Sequence, residues 1–231
     1  MKQTNPERYL VDGLGNWGEP ENKSPYISNY DDTIHYNKTT DFTYNPDYVT
    51  WITFDFNHTP CTSSVFQFVP KVGILGIKSY KVNGGTRRLC QVMKTDDELM
   101  KVSRLLWNIT GDSSGKNYTA VGGNVNDYDI IMEELEVSPA QLINVHGRNK
   151  ALVYSRRLVN EFLYRVPFQM SKQMTDLRRD LKIAYEDKHG NLYKNRKDGY
   201  GMDFLDHFRY FVHAICPNGM EDIEYLLNLF R

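Results

Sequence analysis

One stretch constrains the fold more than any other: residues 48–59, which read YVTWITFDFNHT and are followed by Pro60. Its β-branched and aromatic residues alternate with polar ones and the proline ends the run, so it predicts a β-strand. Asp55 stands between Phe54 and Phe56 where this strand should end. Because an unpaired buried carboxylate is costly, Asp55 either caps a turn at the rim of the sheet or is neutralised, for which a metal ion is the favoured candidate.

Length and composition exclude several classes of protein. The 231 residues include 40% hydrophobic and 13% aromatic residues, enough for one large domain with its own core. Three cysteines, Cys61, Cys90 and Cys216, have no paired or metal-ligand spacing, which favours a reduced, intracellular protein. The first residues are polar and no apolar run is long enough to cross a membrane, so neither a signal peptide nor a membrane span is expected.

Strand and helix patterns alternate along the chain. Two further strands, over 63–69 and 73–82, follow the first with short connections, which favours antiparallel neighbours. Apolar residues at helical spacing come later. We expect an α/β domain with a mixed sheet, antiparallel first strands and flanking helices. The remaining predicted elements are helices over 95–107, 127–135, 149–165, 171–180, 202–214 and 220–230, a short strand over 142–145 and a hairpin over 181–194.

Positive charge is concentrated in residues 146–197, which contain thirteen Lys and Arg against five Asp and Glu. A segment of this kind can bind a polyanion, or it can form the solvated side of helices. The net charge of the whole chain is only −1, so the overall balance indicates no class of partner.

Further aspartates stand at element ends. Asp112 follows Ile-Thr-Gly, where a later strand should end, and Asp203 and Asp206 lie three residues apart on one face of a predicted helix. Two like charges so placed repel unless a cation lies between them. Carboxylate oxygens suit hard ions such as Mg²⁺ or Mn²⁺ rather than zinc, and a pair of such ions can drive phosphodiester cleavage.

Each of these aspartates also has a purely structural interpretation. Asp206 could pair with Arg209, Asp203 could sit at the positive end of its helix, and Asp112 could be a turn residue in Gly-Asp-Ser-Ser-Gly. Jointly, acids at the ends of several elements favour the metal interpretation. Residues 111–117 (GDSSGKN) lack the spacing of a nucleotide-binding loop, and the six histidines lack zinc-ligand spacing.

Four motifs, in their order along the chain, resemble those of the C-terminal nuclease domain of the large terminase subunit of tailed bacteriophages. FDFNHTP with Asp55 is similar to the first catalytic strand, and ITGDSSG with Asp112 to the Gly-Asp-x-Ser-Gly signature. NKALVYSRRLVNEFL resembles the Asn-Pro-x-Val-x-x-Arg helix, with Lys150 in place of proline. MDFLDHFRYF resembles the closing Asp-Ala-x-Arg-Tyr helix, in which Asp206 matches and His207 replaces a small residue.

The resemblance implies a ribonuclease H-like fold and a two-metal endonuclease that cuts concatemeric phage DNA during genome packaging. Asp55, Asp112 and Asp206 would be catalytic and would hold two Mg²⁺ or Mn²⁺ ions, with Asp203 as an accessory ligand. Other ribonuclease H-like nucleases, such as a junction resolvase or a transposase, and a non-catalytic module that grips DNA or the portal are the alternatives. The expected contacts to DNA phosphates are Arg156, Arg157, Lys188 and Lys194.

The N-terminal region has its own counterpart in that family. NPERYLVDGLGNWGEP looks like the end of the ATPase domain, so residues 1–47 are expected to be a linker or its tail, and 48–231 the nuclease domain. The chain contains no Walker A motif, so DNA translocation is not expected of it, and an excised domain or a split gene product is indicated. By resemblance, its partners would be double-stranded DNA, the terminase ATPase domain, the small subunit and the portal, in the cytoplasm of an infected or lysogenic bacterial host.

Overall fold

The computed structural model of the chain describes residues 24–117, 125–143, 145, 149–187 and 189–230. These residues form a mixed five-stranded sheet with helices on both faces. The strands are β1 (Thr50–Asp55), β2 (Cys61–Val69), β3 (Gly73–Val82), β4 (Trp107–Gly111) and β5 (Phe168–Met170). Their order is β4-β1-β2-β3-β5, in which β1, β2 and β3 are antiparallel while β4 pairs with β1, and β5 with β3, in parallel.

Two hydrophobic clusters cover the two faces of the sheet. On one face Phe66 of β2 stacks on Phe211, with ring centroids 4.2 Å apart, and Phe162 and Phe208 complete the aromatic group. On the other face Phe54 packs among the helices that follow β3. The helices are α1 (Asp32–His35), α2 (Gly85–Lys94), α3 (Asp97–Lys101), α4 (Asp127–Leu135), α5 (Leu152–Arg165), α6 (Thr175–Ile183), α7 (Asp203–Ile215) and α8 (Met220–Leu229). None of the described helices combines the length and the apolar character needed to cross a membrane.

Most of the predicted elements are confirmed, and the mixed sheet with antiparallel first strands is confirmed as a whole. β3 and α4 have the predicted bounds, and the other predicted helices and strands outside residues 83–111 and 142–145 shift by a few residues at their ends. The predicted hairpin begins only after α6, which extends to Ile183. Its turn contains Gly190 at a φ of 77° and its arms meet at a bridge between Glu186 and Leu192.

The predicted helix over 95–107 is wrong over most of its length. The helix is confined to α3. It begins after Asp96, whose side chain accepts hydrogen bonds from the backbone amides of Glu98 and Leu99, and it ends before Val102, whose backbone is extended. Trp107 begins β4 instead, since its side chain is buried in the core. Helix α2 was not predicted. The strand expected over 142–145 is a single bridge from Leu142 to Ile109 within the described residues.

Residues 24–47 pack against the rest of the described chain. Tyr26 is fully buried, and its hydroxyl donates a hydrogen bond to the carbonyl of Leu152, 2.7 Å away. Pro25 forms a bridge with Tyr185, and His35 contacts the carbonyl of Leu163 at 3.0 Å. The assignment of residues 1–47 to a linker stays a prediction, and its first 23 residues lie outside the described part of the chain.

This packing predicts that Tyr26 contributes to the stability of the domain. Tyr26→Ala should lower the free energy of unfolding by about 3 kcal/mol or more, because it removes a buried aromatic ring. Tyr164→Ala is the matched control, since Tyr164 is 75% exposed, and should change it by about 0.5 kcal/mol or less. The measurement is equilibrium unfolding in urea. Equal stability of the two variants would mean that residues 24–47 are dispensable to the fold.

A neighbouring helix caps α7. Met202, the residue before α7, has a φ of 58° and no side-chain oxygen with which to cap the helix. Asp180 of α6 takes this place: its carboxylate accepts hydrogen bonds from the backbone amides of Phe204 at 3.0 Å and Leu205 at 3.4 Å. The side chain of Asp180 is buried, so the first amides of α7 depend on a residue of another helix.

We expect Asp180→Ala to reduce the free energy of unfolding by about 1–3 kcal/mol, because buried amides lose their acceptor. Asp180→Asn keeps one acceptor oxygen and should lose clearly less. Thermal and urea unfolding of the two variants beside the wild type would measure this difference. If both variants lost the same amount, the charge of Asp180, which lies 3.7 Å from Arg179, would be responsible rather than the cap.

Candidate active site

The parallel pairing of β1 with β4 brings two aspartates together. Phe54 is the partner of Gly111 in the register, so Asp55 and Asp112, the next residue of each strand segment, lie side by side at the carboxyl end of the sheet. The amide of Asp112 donates to the carbonyl of Phe54 at 3.2 Å. A Cβ atom at Gly111 would stand only 2.6 Å from that carbonyl oxygen, so this close approach requires glycine.

Three further groups fix the Asp112 carboxylate. Its Oδ1 accepts from the amide of Ser114 at 2.8 Å and from the Asn149 side chain at 2.7 Å, and its Oδ2 accepts from the Tyr210 hydroxyl at 3.2 Å. Asp112 thereby caps a short 3₁₀ helix over Ser113–Lys116, as its interpretation as a turn residue predicted. Its two oxygens have several lone pairs and can accept all three hydrogen bonds.

Helix α7 is anchored across the sheet by His207. Thr53 of β1 donates its hydroxyl to the carbonyl of His207 at 2.9 Å. The imidazole nitrogens contact the hydroxyls of Thr62 at 3.2 Å and Ser64 at 2.8 Å on β2. Burial lowers the pKa of His207 to about 3, so the ring is neutral and both nitrogens are used inside the protein. His207 is therefore a core anchor that aims the start of α7 at the sheet end.

The other two predicted ligands, Asp203 and Asp206, lie at the start of α7 and are both paired with cations. Arg209 donates to Asp206 Oδ1 at 2.6 Å, as the structural interpretation predicted, and Lys194 contacts Asp206 Oδ2. Arg196 holds Asp203 with both terminal nitrogens, at 2.5 and 3.1 Å. Lys194, Arg196 and Arg209 thus pair with the two acids at the start of α7.

The surroundings of Asp55 disfavour its negative charge. Only 5% of the residue is exposed, and its carboxylate accepts a hydrogen bond of 2.6 Å from Asn57. Burial, followed by the charges of Asp206, Asp203 and Asp112, raises the pKa of Asp55 to about 8, while Lys194 lowers it. Burial also raises the pKa of Asp203. The site therefore disfavours its own negative charge, and an added cation would relieve this.

The four carboxylates have the ligand chemistry that a hard divalent ion requires. Two of them, Asp203 and Asp206, are however directed at cations of the chain. All four side chains offer only oxygen, the ligand type that Mg²⁺ and Mn²⁺ prefer. In the part of the chain that the structure describes, no three acidic, histidine or cysteine side chains converge as a ready metal-ligand group. Asp206 and Asp203 are directed at Lys194, Arg209 and Arg196, so an ion could bind these acids only in competition with the cations of the chain.

The basic segment 146–197 is largely used inside the protein. At least seven of its thirteen cations form ion pairs with acids of this chain: Arg156, Arg165, Lys172, Arg178, Arg179, Lys194 and Arg196. Of the predicted DNA contacts, Arg156 pairs with Glu186 and donates to the Tyr26 carbonyl, whereas Arg157 is exposed. Lys188 lies outside the described residues. The role of these four residues at DNA stays a prediction.

Three residues of this site were not predicted. Asn57 also reaches Asp203 Oδ1, 3.3 Å away, and so links β1 to α7. Asn57 follows Asp55 by two residues, and that proximity is the only sequence signal for it. Arg196 and Asp180 gave no usable signal, because their partners are seven and more than twenty residues away along the chain.

The chain resembles known proteins in its structure and not in its sequence. The sequence matches no family model and no curated protein. The nuclease domain of the large terminase of phage P22 superposes with a TM-score of 0.57 at 11% identity, covering 86% of this chain and 96% of that one. The large terminase nuclease of thermophilic phage G20c, solved with bound magnesium, gives 0.52 at 14% identity and covers 84% and 98%.

One of the matching structures is that of a longer protein. The large terminase of another thermophilic bacteriophage, solved in complex with ATP-gamma-S, superposes with a TM-score of 0.59 at 15% identity. The match covers 87% of this chain but 47% of that protein, so the chain spans about half the length of that terminase. The resemblance indicated by the motifs is thus confirmed in three dimensions: the chain has the ribonuclease H-like fold of the nuclease domain of phage large terminases.

Proposed function

We propose that the chain is a metal-dependent DNA endonuclease that cuts concatemeric phage DNA during genome packaging. The observation that carries the proposal is that Asp55 and Asp112 are neighbours at the carboxyl ends of β1 and β4. The first turn of α7, which contains Asp203 and Asp206, lies beside them. The terminase nuclease fold supports a phage packaging nuclease. The bound magnesium of the G20c relative supports a divalent ion as the cofactor.

Each acid has a role in this proposal. Asp55, Asp112 and Asp206 would hold two Mg²⁺ or Mn²⁺ ions, and Asp203 would support them. When bound, such a pair of ions activates a water molecule and stabilises the charge that develops on the scissile phosphate. The hydrogen bond between Thr53 and His207 and the cap that Asp180 provides fix the position of α7 relative to β1. Tyr210 and Asn149 hold Asp112 in a single orientation.

The substrate in this proposal is duplex DNA, bound mainly through its phosphates. Contacts to phosphates carry little sequence information, so weak cleavage specificity and strong salt dependence follow. The exposed Arg157 on α5 and the cations of the segment before α7 would hold the backbone. The terminase ATPase domain, the small subunit and the portal would be its partners, and the cytoplasm of a bacterial host its place of action.

A second candidate function has one observation in its favour. Because Asp203 and Asp206 are already paired with cations, the acids could be purely structural and the chain a non-catalytic module that grips DNA or the portal. Metal would then neither stabilise the chain nor start cleavage.

The test is digestion of plasmid DNA by the purified chain with Mn²⁺, with Mg²⁺ and with EDTA. We expect cutting only with a divalent ion, and a rate lowered about 100-fold or more in Asp55→Asn and Asp112→Asn, because each removes a ligand charge. Asp47→Asn is the matched control, since Asp47 is an exposed acid outside the site, and should cut like the wild type.

The other outcomes separate the alternatives. Cutting that survives in both site variants would contradict the proposed site. Branched DNA cut far better than linear duplex would favour a junction resolvase. The absence of cutting in every condition, together with a melting temperature that metal does not change, would support the non-catalytic module.

The two neighbouring arginines of α5 should behave differently. Arg157→Ala should weaken DNA binding uniformly across sequences and lower the slope of log affinity against log salt by about 1, as expected for one lost phosphate contact. Arg156→Ala should chiefly lower the free energy of unfolding, because Arg156 pairs with Glu186 and holds the Tyr26 carbonyl. Fluorescence anisotropy over a salt series and urea unfolding measure the two effects. An unchanged salt slope in Arg157→Ala would remove Arg157 from the DNA interface.

A further inference from the structure

Two cations occupy the carboxylates at the start of α7, and both come from the segment that precedes that helix. We infer that Lys194 and Arg196 compete with divalent ions for Asp206 and Asp203: they neutralise these acids in the metal-free protein and must leave them when ions bind. The inference rests on the metal site of the proposed function and adds residues of this chain that set its affinity for ions.

Ring packing and backbone hydrogen bonds hold the segment that contains Lys194 and Arg196 in place. Tyr185, Tyr193 and Tyr200 pack together, with ring centroids 4.7 to 5.6 Å apart. The backbones of Asn195 and Tyr200 exchange two hydrogen bonds of 2.9 and 2.8 Å. Lys194 lies inside this framework, so its ammonium group reaches Asp206 from a fixed backbone.

The three cations of the site differ in their freedom to move. The side chain of Arg209 is only 4% exposed and also contacts the Ser155 hydroxyl at 3.4 Å, so it stays with Asp206. The side chains of Lys194 and Arg196 are 40% and 48% exposed. Because both cations are partly in contact with solvent, they can be released from the acids at a lower cost than the buried Arg209.

The balance of charge requires such a release. In the metal-free protein, Lys194 and Arg196 already neutralise Asp206 and Asp203. Two divalent ions would add four positive charges and turn the site strongly positive if Lys194 and Arg196 stayed. Once released, both can pair with DNA phosphates, since they stand beside the acids at the surface. Ion binding and DNA binding should therefore strengthen each other.

The experiment is calorimetric titration of Mn²⁺ into the metal-free full chain, without DNA. Lys194→Met and Arg196→Met should each bind Mn²⁺ about threefold or more tightly than the wild type, because each removes a competing cation. Lys197→Met is the matched control, since it removes an exposed positive charge from the same segment, and its affinity should stay that of the wild type. The melting temperature of each metal-free variant establishes that it is folded.

Other results would overturn the inference in distinguishable ways. Equal or weaker Mn²⁺ binding by both Lys194→Met and Arg196→Met would mean that these residues do not compete with the ion, while the metal site itself would stand. Equal tightening in Lys197→Met would mean a general effect of net charge. If Mn²⁺ bound to neither the wild type nor any variant, the proposed metal site would fail together with this inference.

Discussion

The site depends on one long-range contact, the parallel pairing of β1 with β4. The two strands are separated along the chain by β2, β3 and two helices, yet the register of Phe54 with Gly111 decides that Asp55 and Asp112 are neighbours. Because side chains alternate between the faces of a strand, a slip of one residue would send one aspartate to the other face. The close contact at Gly111 and the buried Trp107 and Ile109 hold this register.

Electrostatic repulsion is the cost of this arrangement, and the fold offsets it locally. Four carboxylates within one region would destabilise the folded chain through mutual repulsion and loss of hydration. Arg209 lies buried beside Asp206, and Asn57 donates to both Asp55 and Asp203. Asp55 still keeps a pKa raised to about 8, so the compensation is incomplete. An enzyme site can tolerate such a residual imbalance when a cation belongs to its function.

Local sequence patterns predicted most of the helices and strands, whereas the contacts that complete the candidate site depend on residues far apart in the chain. Strand β3 and helix α4 have the bounds that the local sequence patterns predicted, and Asp55 and Asp112 lie at strand ends as expected. The helix predicted over 95–107 failed because Trp107 is needed in the core of the sheet, which overrides its local helical spacing. No spacing rule indicates that Lys194 and Arg196 fold back onto α7 or that Asp180 caps it, since these contacts depend on the tertiary arrangement.

The ion pairs within the basic segment 146–197 limit how many of its cations can contribute to the proposed binding of DNA. A surplus of positive charge in the sequence suggested a binding face, but at least seven of those thirteen cations neutralise acids of the chain itself, including Asp32, Asp41 and Glu224. In the proposed complex with DNA, phosphate contacts would come from exposed residues such as Arg157 or from cations that exchange their partners. We infer that Lys194 and Arg196 are of the second kind, because they pair with the acids that a divalent ion would bind. The ion would then not only support cleavage but also release positive charges for the DNA phosphates.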